Sequence, residues 1–544
     1  MSCPFGNDAL AFDNAVNPFG SASLASEAEM ETAGLFEWTE GSIYCGKAYG
    51  RRIWADFAGG YVLTAGARTG KLRDILMQNI CSGVLPNETL LIFDIKGELA
   101  VTSQNQTPDE KFCIFLNPHA LHGMPQHKFN PVPHIRWSSE TLISDIKVML
   151  EGLLPQSGTS QAKYFELNAA RIAEALCVIL TKLNGTLTMP DLYDALLLLK
   201  SGGEAWLDFA YQMYRSGIPE CVSVEAEINE ARSDTSGGFR GIIGELDAAL
   251  GCLSDDRLRE ALSGPFDASP EDFCRGDQAY QVYLMVPEDM IEPWAPMVKV
   301  ILASAKTLKR RSPDAPRQTW FIDEAGRLFG YSQIVRLFTD GAGIGVRPFI
   351  VLQDFLQADQ LMKGGAQLIS SSAAVKIFFG VRDDVTAKMV SNLLGYQTLR
   401  YDDPLVQHRA EREVLESVRS IFSGADPFEA AGRMAQASYE STHQHLVRRP
   451  IRTPDEVRYG PENELFLFAD GLSGGVIGTR TPYWEQRFMA GRFHPNPYHK
   501  PYDKVRVQTR WGQRWRKVIT EPVPEVFAHY PQYASGQWSY IEGS

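Results

Sequence analysis

Short apolar runs bounded by glycine or acidic residues recur along the chain and predict the strands of a buried sheet. Most are followed by helical patterns, which is typical of parallel strands covered by helices on both faces. An eighth run, Leu465–Phe468, indicates that the chain returns to the same sheet near its end. The other runs are Tyr61–Thr64, Leu90–Phe93, Phe112–Leu116, Tyr280–Val286, Trp320–Ile322, Pro348–Leu352 and Val375–Phe379.

Between about residues 135 and 270 the apolar positions follow a helical period instead. Phe165, Ala169, Ile172, Leu176, Ile179 and Leu183 lie four and three residues apart in turn and share one helical face. We expect this stripe to pack in a core. A second helix is predicted to begin at Thr188, where threonine caps the helix, Pro190 presets φ and Asp191 favours the positive end. The pattern therefore predicts an α/β fold with an inserted all-α domain.

Composition narrows the class of protein. The chain has 544 residues, 44% hydrophobic and 22% charged, which excludes whole-chain disorder, a collagen-like chain and a disulfide scaffold. The length favours about two to four domains. The net charge of −13 argues against a surface broadly covered with nucleic-acid-binding charge, although a local basic channel stays compatible with it.

The eight cysteines are scattered without a CxxC pair, so we expect buried free thiols, a reducing compartment and no metal site built from cysteine. The N-terminus does not look like a secretory signal. A bilayer-spanning helix needs about 20 apolar residues, and the sequence contains no such run. These features predict a cytosolic chain, or one held at a membrane by a partner.

The strand at Tyr61 runs into a loop that has several parts of a phosphate-binding loop. Backbone amides, a lysine and a helix N-terminus together bind phosphate oxygens. Ala65 stands where the first glycine of the motif belongs, and Leu72 replaces the hydroxyl residue that holds Mg²⁺. An ordinary strand, turn and helix is the alternative interpretation. The candidate nucleotide-binding residues are Ala65, Gly66, Ala67, Arg68, Thr69, Gly70, Lys71 and Leu72.

The strand at Trp320 ends in Asp323 and Glu324, which provide the second half of an ATPase site. Asp323 is placed to hold Mg²⁺ through water, and Glu324 to polarise the attacking water. The alternative is a strand followed by an acidic helix N-terminus. Gln353 follows a third strand. In RecA-like motors a polar residue at this position senses the γ-phosphate, so Gln353 is the candidate sensor. The alternative is an ordinary polar residue at the end of a strand.

The order of motifs resembles that of the type IV coupling proteins, the TraG-type ATPases of conjugation and type IV secretion. The D-x-K-G-E element, formed by Asp94, Lys96, Gly97 and Glu98, is the most specific single piece. The resemblance covers roughly residues 55–400 and 465–474. It also includes Gly70-Lys71, Phe115–Pro118, His127–Pro131, Tyr164–Arg171, Phe321–Ala325, Gly343–Arg347, Val351–Asp354 and Phe378–Gly380.

This resemblance implies a RecA-like P-loop nucleotide-binding domain, ATP and Mg²⁺ as cofactors and a homo-hexameric ring. It also implies delivery of relaxase-bound single-stranded DNA, or of protein effectors, to the type IV secretion channel. Lys71 is then expected to contact phosphate, Asp323 to hold Mg²⁺, Glu324 to be the catalytic acid/base and Gln353 the sensor. Ring ATPases also use an arginine in trans, for which Arg347 and Arg336 are candidates.

Family members usually begin with transmembrane helices, and this chain is expected to lack that anchor. We therefore expect the protein in the bacterial cytoplasm, peripheral at the cytoplasmic face of the inner membrane, with membrane contact only through a partner. The degenerate phosphate loop leaves a non-hydrolysing docking ring as one alternative. A DNA translocase of plasmid or chromosome partition is another, which the D-x-K-G-E element and the helical insert disfavour.

A basic and aromatic segment near the C-terminus is a candidate DNA contact. Residues 500–517 carry seven Lys or Arg against one Asp, and cations with aromatic faces suit unpaired nucleic acid. The alternatives are a solvated hairpin, a contact with an acidic secretion partner, or anionic lipid. The candidates are Lys504, Arg506, Arg510, Trp511, Arg514, Trp515 and Arg516.

Six segments follow from these patterns. They are a flexible N-terminal segment (1–45), the first part of the nucleotide-binding domain (46–134), the all-α domain (135–270), the second part of the nucleotide-binding domain (271–400), a charged surface insertion (401–460) and a return to the nucleotide-binding domain with a C-terminal extension (461–544).

Overall fold

The computed structural model describes residues 17–81, 83–104, 111–154, 160–233, 238–401, 404–424, 426–442 and 445–543. The first 16 residues of the predicted flexible segment, with Cys3, lie outside the described residues. Within the rest of that segment the structure places a short helix, Glu27–Thr32, and the first residues of a strand that begins at Ile43. The six predicted segment boundaries stay predictions.

The strands, in chain order, are β1 Ile43–Ala48, β2 Arg51–Ala55, β3 Tyr61–Ala65, β4 Thr89–Ile95, β5 Phe112–Leu116, β6 Tyr280–Val286, β7 Gln318–Ile322, β8 Val346–Leu352, β9 Val375–Phe379, β10 Tyr396–Tyr401, β11 His445–Pro450, β12 Glu464–Ala469, β13 Val476–Thr479, β14 Lys504–Thr509, β15 Gly512–Pro522 and β16 Gln537–Ile541.

The helices are α1 Glu27–Thr32, α2 Met77–Ile80, α3 Glu98–Ser103, α4 Leu142–Leu153, α5 Ser160–Asn184, α6 Met189–Ser201, α7 Gly203–Arg215, α8 Pro219–Ser233, α9 Gly238–Leu250, α10 Asp256–Ala261, α11 Pro270–Arg275, α12 Ile291–Arg311, α13 Ser332–Asp340, α14 Gln357–Leu361, α15 Gly365–Ser372, α16 Asp384–Leu394, α17 Pro404–Phe422, α18 Pro427–Thr442 and α19 Pro454–Arg458. A π-helical turn, Leu72–Leu76, leads directly into α2.

Ten strands of an eleven-stranded sheet lie entirely in the larger of two compact units, which comprises Glu31–Gly380, Asn463–Asp470 and Gly478–Ser544. Its strand order is β2-β1-β13-β12-β9-β3-β8-β7-β4-β6-β5. The strands from β9 to β5 run parallel, whereas β12 pairs with β9 antiparallel. Every residue of β3, β4, β7 and β8 is buried, as the continuous apolar runs predict for a sheet covered on both faces. The predicted α/β class is confirmed.

Helices α4 to α11 occupy the chain between β5 and β6, where the inserted helical domain was predicted. Thr188 caps α6 as expected, because its side chain accepts a hydrogen bond from the amide of Asp191 at 3.2 Å. On α5, Ala169, Ile172, Leu176 and Ile179 are buried. Leu183 is 49% exposed, because it lies in the last turn of α5, so the predicted stripe ends before it.

The smaller unit comprises Val381–Glu462 and Gly471–Ile477, together with the described residues up to Met30. Strands β10 and β11 pair antiparallel, and α17 and α18 lie between them in the sequence. No apolar run predicts a strand within the charged insertion at 401–460, yet β11 lies there. Its sequence, HLVRRP, contains one histidine and two arginines, so it does not form a continuous apolar run that would predict a strand.

The seven cysteines among the described residues are buried thiols, as predicted. In the described parts of the chain, no helix combines the length and apolar character needed to cross a bilayer.

Candidate functional site

The loop after β3 is held in a compact turn by its own polar atoms. Thr69 Oγ1 donates a hydrogen bond to the carbonyl of Gly66 at 2.7 Å. The amide of Gly66 donates to the carbonyl of Gly380 at 3.3 Å, which ties the loop to the end of β9. Gly70 has φ +94°, in the left-handed region where a side chain causes strain. Arg68, at φ +59°, projects from the exposed apex of the loop.

The helix that follows directs its N-terminus toward this loop. Lys71 precedes the first helical turn, and the amide of Asp74 donates to the carbonyl of Gly70 at 2.8 Å. Lys71 and Leu72 are both partly exposed. A helix N-terminus and an ammonium group together favour an anion. The predicted loop thus lies between a buried strand and a helix N-terminus, with Leu72 at the position that a hydroxyl residue has in the complete motif.

Asp323, Glu324 and Gln353 meet at the carboxyl edges of β7 and β8. The side-chain amide of Gln353 donates to Glu324 Oε1 at 3.1 Å. The amide of Glu324 donates to Asp323 Oδ1 at 3.0 Å. Glu324 has φ +49°, a strained conformation for a residue with a side chain, and such strain is concentrated at functional sites. The hydrogen bond from Gln353 thus fixes the position of the Glu324 carboxylate.

Lys71 and Asp323 share one electrostatic environment. Burial raises the pKa of Asp323, and the positive charge of Lys71 opposes that shift, while the neighbouring carboxylate of Glu324 adds to it. The structure therefore brings Lys71 and the strand-end carboxylates close enough to interact electrostatically.

Asp94 adds a buried carboxylate beside Asp323. Phe93 and Ile322 are in register on neighbouring parallel strands, so the residues that follow them lie side by side. Asp94 Oδ2 accepts a hydrogen bond from the amide of Ala100 at 2.8 Å, whereas Oδ1 has no hydrogen-bond partner among the described residues. Burial raises the pKa of Asp94 to about 8, and the charge of Asp323 adds to this shift.

These oxygens fit a Mg²⁺ ion. Mg²⁺ is usually held by one or two carboxylates together with phosphate and water, and Asp323 and the orphaned oxygen of Asp94 provide such carboxylates. Over the described ranges, no group of three or more His, Cys, Asp or Glu side chains is arranged to hold a metal by itself. Two carboxylates are enough for Mg²⁺ at this site, because a bound nucleotide would supply further oxygen ligands.

Arg347 lies away from this edge. It is the second residue of β8, at the amino end of the strand, and its side chain is fully buried. Its Nη2 donates to Glu88 Oε2 at 2.8 Å, and its Nε donates to Thr319 Oγ1 at 3.0 Å. This placement does not suit the predicted role in a neighbouring subunit's site, because the guanidinium is committed to a buried carboxylate. Arg336, the other candidate, is exposed on α13.

Arg480 contacts the phosphate loop although no sequence pattern singles it out. Its side chain is buried, and its Nη1 donates to the carbonyl of Thr69 and to the carboxylate of Asp74. Its guanidinium lies 4.5 Å from the centre of the Phe379 ring. Arg73 Nε also donates to Asp74, at 2.6 Å. Only the fold reveals this contact, because Arg480 and Thr69 are 411 positions apart in the chain.

The basic C-terminal segment forms a β-hairpin, β14 and β15, and its candidate side chains lie on both faces. Arg506 is directly opposite Trp515, and Lys504 is opposite Lys517, so these four share one face. The Nζ of Lys504 lies 5.5 Å from the centre of the Trp515 ring. Trp515 is 55% exposed.

The opposite face of the hairpin is anchored by apolar side chains. Val505 and Val507 are buried, and their cross-strand partners are Arg516 and Arg514. At the turn, Trp511 is 79% exposed, and the Arg510 guanidinium lies 5.6 Å from its ring centre. The structure therefore groups Lys504, Arg506 and Trp515, and it separates them from Arg514 and Arg516.

Known proteins resemble this chain in sequence and in fold. A model of the family "Type IV secretory system Conjugative DNA transfer" matches residues 15–413. The VirD4 protein of Rhizobium rhizogenes is 22% identical over 398 residues, covering 70% of this chain and 57% of VirD4. The VirD4 protein of Rhizobium radiobacter is 22% identical over 401 residues, covering 70% of this chain and 55% of that protein. The matched region thus spans a little over half of each VirD4 protein.

Solved structures of the plasmid coupling protein TrwB share the fold. The complex of TrwB with the ATP analogue ADPNP has a TM-score of 0.57 and 16% identity, covering 86% of this chain and 95% of TrwB. The complex with ADP and Mg²⁺ has a TM-score of 0.55 and 15% identity, covering 89% of this chain and 96% of TrwB. These likenesses confirm the RecA-like P-loop fold with a helical domain. Because the family model matches well over half of its length, the chain belongs to the type IV secretory system conjugative DNA transfer family.

Proposed function

We propose that the protein is a coupling ATPase that binds ATP and Mg²⁺ and delivers relaxase-bound single-stranded DNA, or protein effectors, to a type IV secretion channel. The observation that carries this proposal is the meeting of Lys71, Asp323, Glu324 and Gln353 at one edge of the sheet. Phosphoryl transfer depends mainly on positioning and electrostatic stabilisation, and these residues supply both.

Each side chain has a distinct role in ATP hydrolysis. Lys71 and the amides of the phosphate loop bind the phosphate oxygens. Asp323 would hold Mg²⁺, and the ion would neutralise charge on the phosphates when bound. Glu324 orients the attacking water and accepts its proton. Gln353 holds Glu324 in place through its hydrogen bond, and we assign it the role of γ-phosphate sensor.

The proposed assembly is a homo-hexameric ring in which each nucleotide site lies between subunits. Such a ring would act at the cytoplasmic face of the bacterial inner membrane, with channel components as its partners there. An arginine from the neighbouring subunit would stabilise the transition state. The burial of Arg347 leaves exposed Arg336 as the better of the two sequence-derived candidates.

A second candidate function is a docking ring that binds nucleotide without hydrolysing it. Leu72 favours this candidate, because it supplies no hydroxyl to hold Mg²⁺ and it is only partly exposed beside Lys71. Asp94 favours hydrolysis, since it places a second carboxylate next to Asp323.

Phosphate release by the purified protein, measured with and without single-stranded DNA, separates the two functions. The ATPase proposal predicts turnover that Lys71→Ala and Glu324→Gln each lower at least about 100-fold. Lys388→Ala is the matched control, because this lysine is 62% exposed and forms a surface pair with Asp384. If the protein binds nucleotide but shows no turnover at every DNA and protein concentration tested, the result would support the docking ring and refute the ATPase.

A further inference from the structure

The hairpin of β14 and β15 forms one wall of a cavity of about 270 Å³. Lys504, Arg506 and Trp515 line this wall. Phe493 and His499 also line the cavity, and they bound a segment that we call the strap, residues 493–499. All these residues are described by the structure and belong to the larger compact unit.

The chemistry of the cavity suits a segment of unpaired nucleic acid. Two cations on the hairpin wall attract phosphate, and the exposed Trp515 and partly exposed Trp484 provide aromatic faces for a base. Stacking on an aromatic side chain contributes about 1–3 kcal/mol per base, and a base within a duplex is already stacked. A purely acidic ligand would use the cations but leave the aromatic lining without a partner.

The strap is hydrogen-bonded to the segment that follows Asp94, and Asp94 lies at the candidate nucleotide site. Asn496 Nδ2 donates to Glu98 Oε1, and the Tyr498 hydroxyl donates to the carbonyl of Lys96 at 3.2 Å. The amide of His494 donates to the carbonyl of Thr102 at 2.8 Å. These contacts tie both ends of the strap to residues 96–102.

The D-x-K-G-E element therefore lies between the candidate nucleotide site and the strap that borders the cavity. The Glu98 carboxylate acts electrostatically on both Asp94 and Asp323, so it belongs to the environment of the nucleotide. Partial burial raises the pKa of the Tyr498 hydroxyl, and the negative charge of Glu98 adds to that shift, which places the strap within range of the same carboxylates. A ligand that moves the strap changes the hydrogen bonds of Lys96 and Glu98.

We infer that the cavity between the hairpin and the strap binds single-stranded nucleic acid, and that the strap couples this binding to the nucleotide site. The inference rests on the proposed function, because it assumes that nucleotide binds beside Lys71. Coupling of this kind is reciprocal: if nucleotide changes the affinity for the strand, the strand changes the affinity for nucleotide by the same factor.

The first experiment tests the ligand. Fluorescence anisotropy compares binding of oligo(dT) with binding of an abasic oligonucleotide of equal length and charge. Trp515→Ala should weaken oligo(dT) binding about 5- to 150-fold and leave abasic binding unchanged within about twofold. Trp38→Ala is the control, since Trp38 is 46% exposed and does not line the cavity. Equal weakening of both probes, or tighter binding of an acidic peptide or of anionic vesicles, would overturn the nucleic-acid assignment.

The second experiment tests the coupling. Oligo(dT) affinity is measured with and without ADPNP and Mg²⁺, and we expect a change of at least about fivefold. The double variant Asn496→Ala with Tyr498→Phe should retain oligo(dT) binding and lose this change, whereas Tyr502→Phe, at an exposed tyrosine outside the strap, should keep it. Coupling that survives in the double variant would overturn the role of the strap. Absence of ADPNP binding to the natural chain would instead refute the proposed function, while the abasic comparison would still decide the nucleic-acid site.

Discussion

Replacement of Arg347 by alanine separates a structural role from a catalytic one. The guanidinium is fully buried, and its Nη2 donates to both carboxylate oxygens of Glu88, at 3.0 and 2.8 Å. Its Nη1 also donates to the carbonyl of Gly41 at 2.9 Å. The Glu88 side chain is only 4% exposed, so water cannot replace these bonds when the guanidinium is removed.

The expected loss is about 3 kcal/mol of the free energy of unfolding. Removal of one partner from a buried ion pair costs about 3–5 kcal/mol, because the other charge stays buried without compensation. Arg317 moderates the loss at this site, since its Nε still donates to Glu88 Oε1 at 2.7 Å. We therefore expect the lower end of that range.

Urea unfolding followed by tryptophan fluorescence measures this loss. The matched control is Arg171→Ala, because Arg171 pairs with Glu227 at the surface and both side chains are about half exposed. Such surface pairs contribute about 0–1 kcal/mol. Folded Arg347→Ala protein should bind nucleotide within about twofold of the natural chain. Unchanged stability combined with loss of ATP turnover would refute the structural role and restore Arg347 as the arginine that acts in trans.

Three further changes test other parts of the site and the fold. Leu72→Thr adds the missing hydroxyl beside Lys71, so the Mg²⁺ concentration that gives half-maximal turnover should fall severalfold; an unchanged Mg²⁺ dependence would contradict this. Gly380→Ala should weaken nucleotide binding at least about fivefold, because the added Cβ would lie 2.4 Å from the Thr69 side chain. Gly330→Ala is its control and should leave nucleotide binding unchanged, because Gly330 has a similar positive φ but open space around it. Burial lowers the pKa of His494 to about 4 from an ordinary value near 6.5, so the folded state binds fewer protons than the unfolded state and loses stability as the pH falls between those values. At pH 5 the loss in free energy of unfolding is about 2 kcal/mol, and His494→Gln should remove it. Stability measured by unfolding at pH 7.5 and at pH 5 should therefore differ less for the variant than for the natural chain. An equal difference would contradict the prediction.

The sequence predicts the parallel sheet well because its strands are buried on both faces. All eight apolar runs, from Tyr61 to Phe468, lie in strands of the structure. Strands that contain charged residues or glycine give a weaker signal. β11 and β15 carry several cations, and β1 has a glycine in its middle, so none of them forms a continuous apolar run.

The site was predicted where its residues follow the ends of such strands. Lys71, Asp323, Glu324 and Gln353 each lie just beyond a buried run, and parallel strands bring those ends to one edge. Arg347 shows the limit of this reasoning. It comes just before the apolar run of β8, at the amino end of the strand, and the sequence does not tell that its side chain is buried against Glu88.

Contacts between distant parts of the chain could not be predicted. Arg480 reaches the phosphate loop, and Asn496 and Tyr498 reach the D-x-K-G-E element, across about 400 positions of sequence. These contacts depend on how the last strands and the strap fold back onto the sheet. No local pattern of apolar or charged residues encodes them.

Equilibrium binding of a fluorescent ATP analogue with Mg²⁺ tests most directly whether the loop at Lys71 is a working nucleotide site. We predict that the natural chain binds the analogue, that Lys71→Ala weakens binding at least about tenfold, and that Glu324→Gln leaves binding within about threefold while turnover is lost. Lys388→Ala should match the natural chain in both measurements. Binding that is equally tight in the natural chain and in Lys71→Ala would contradict the proposal, because the nucleotide would then lie outside the site that the fold assembles.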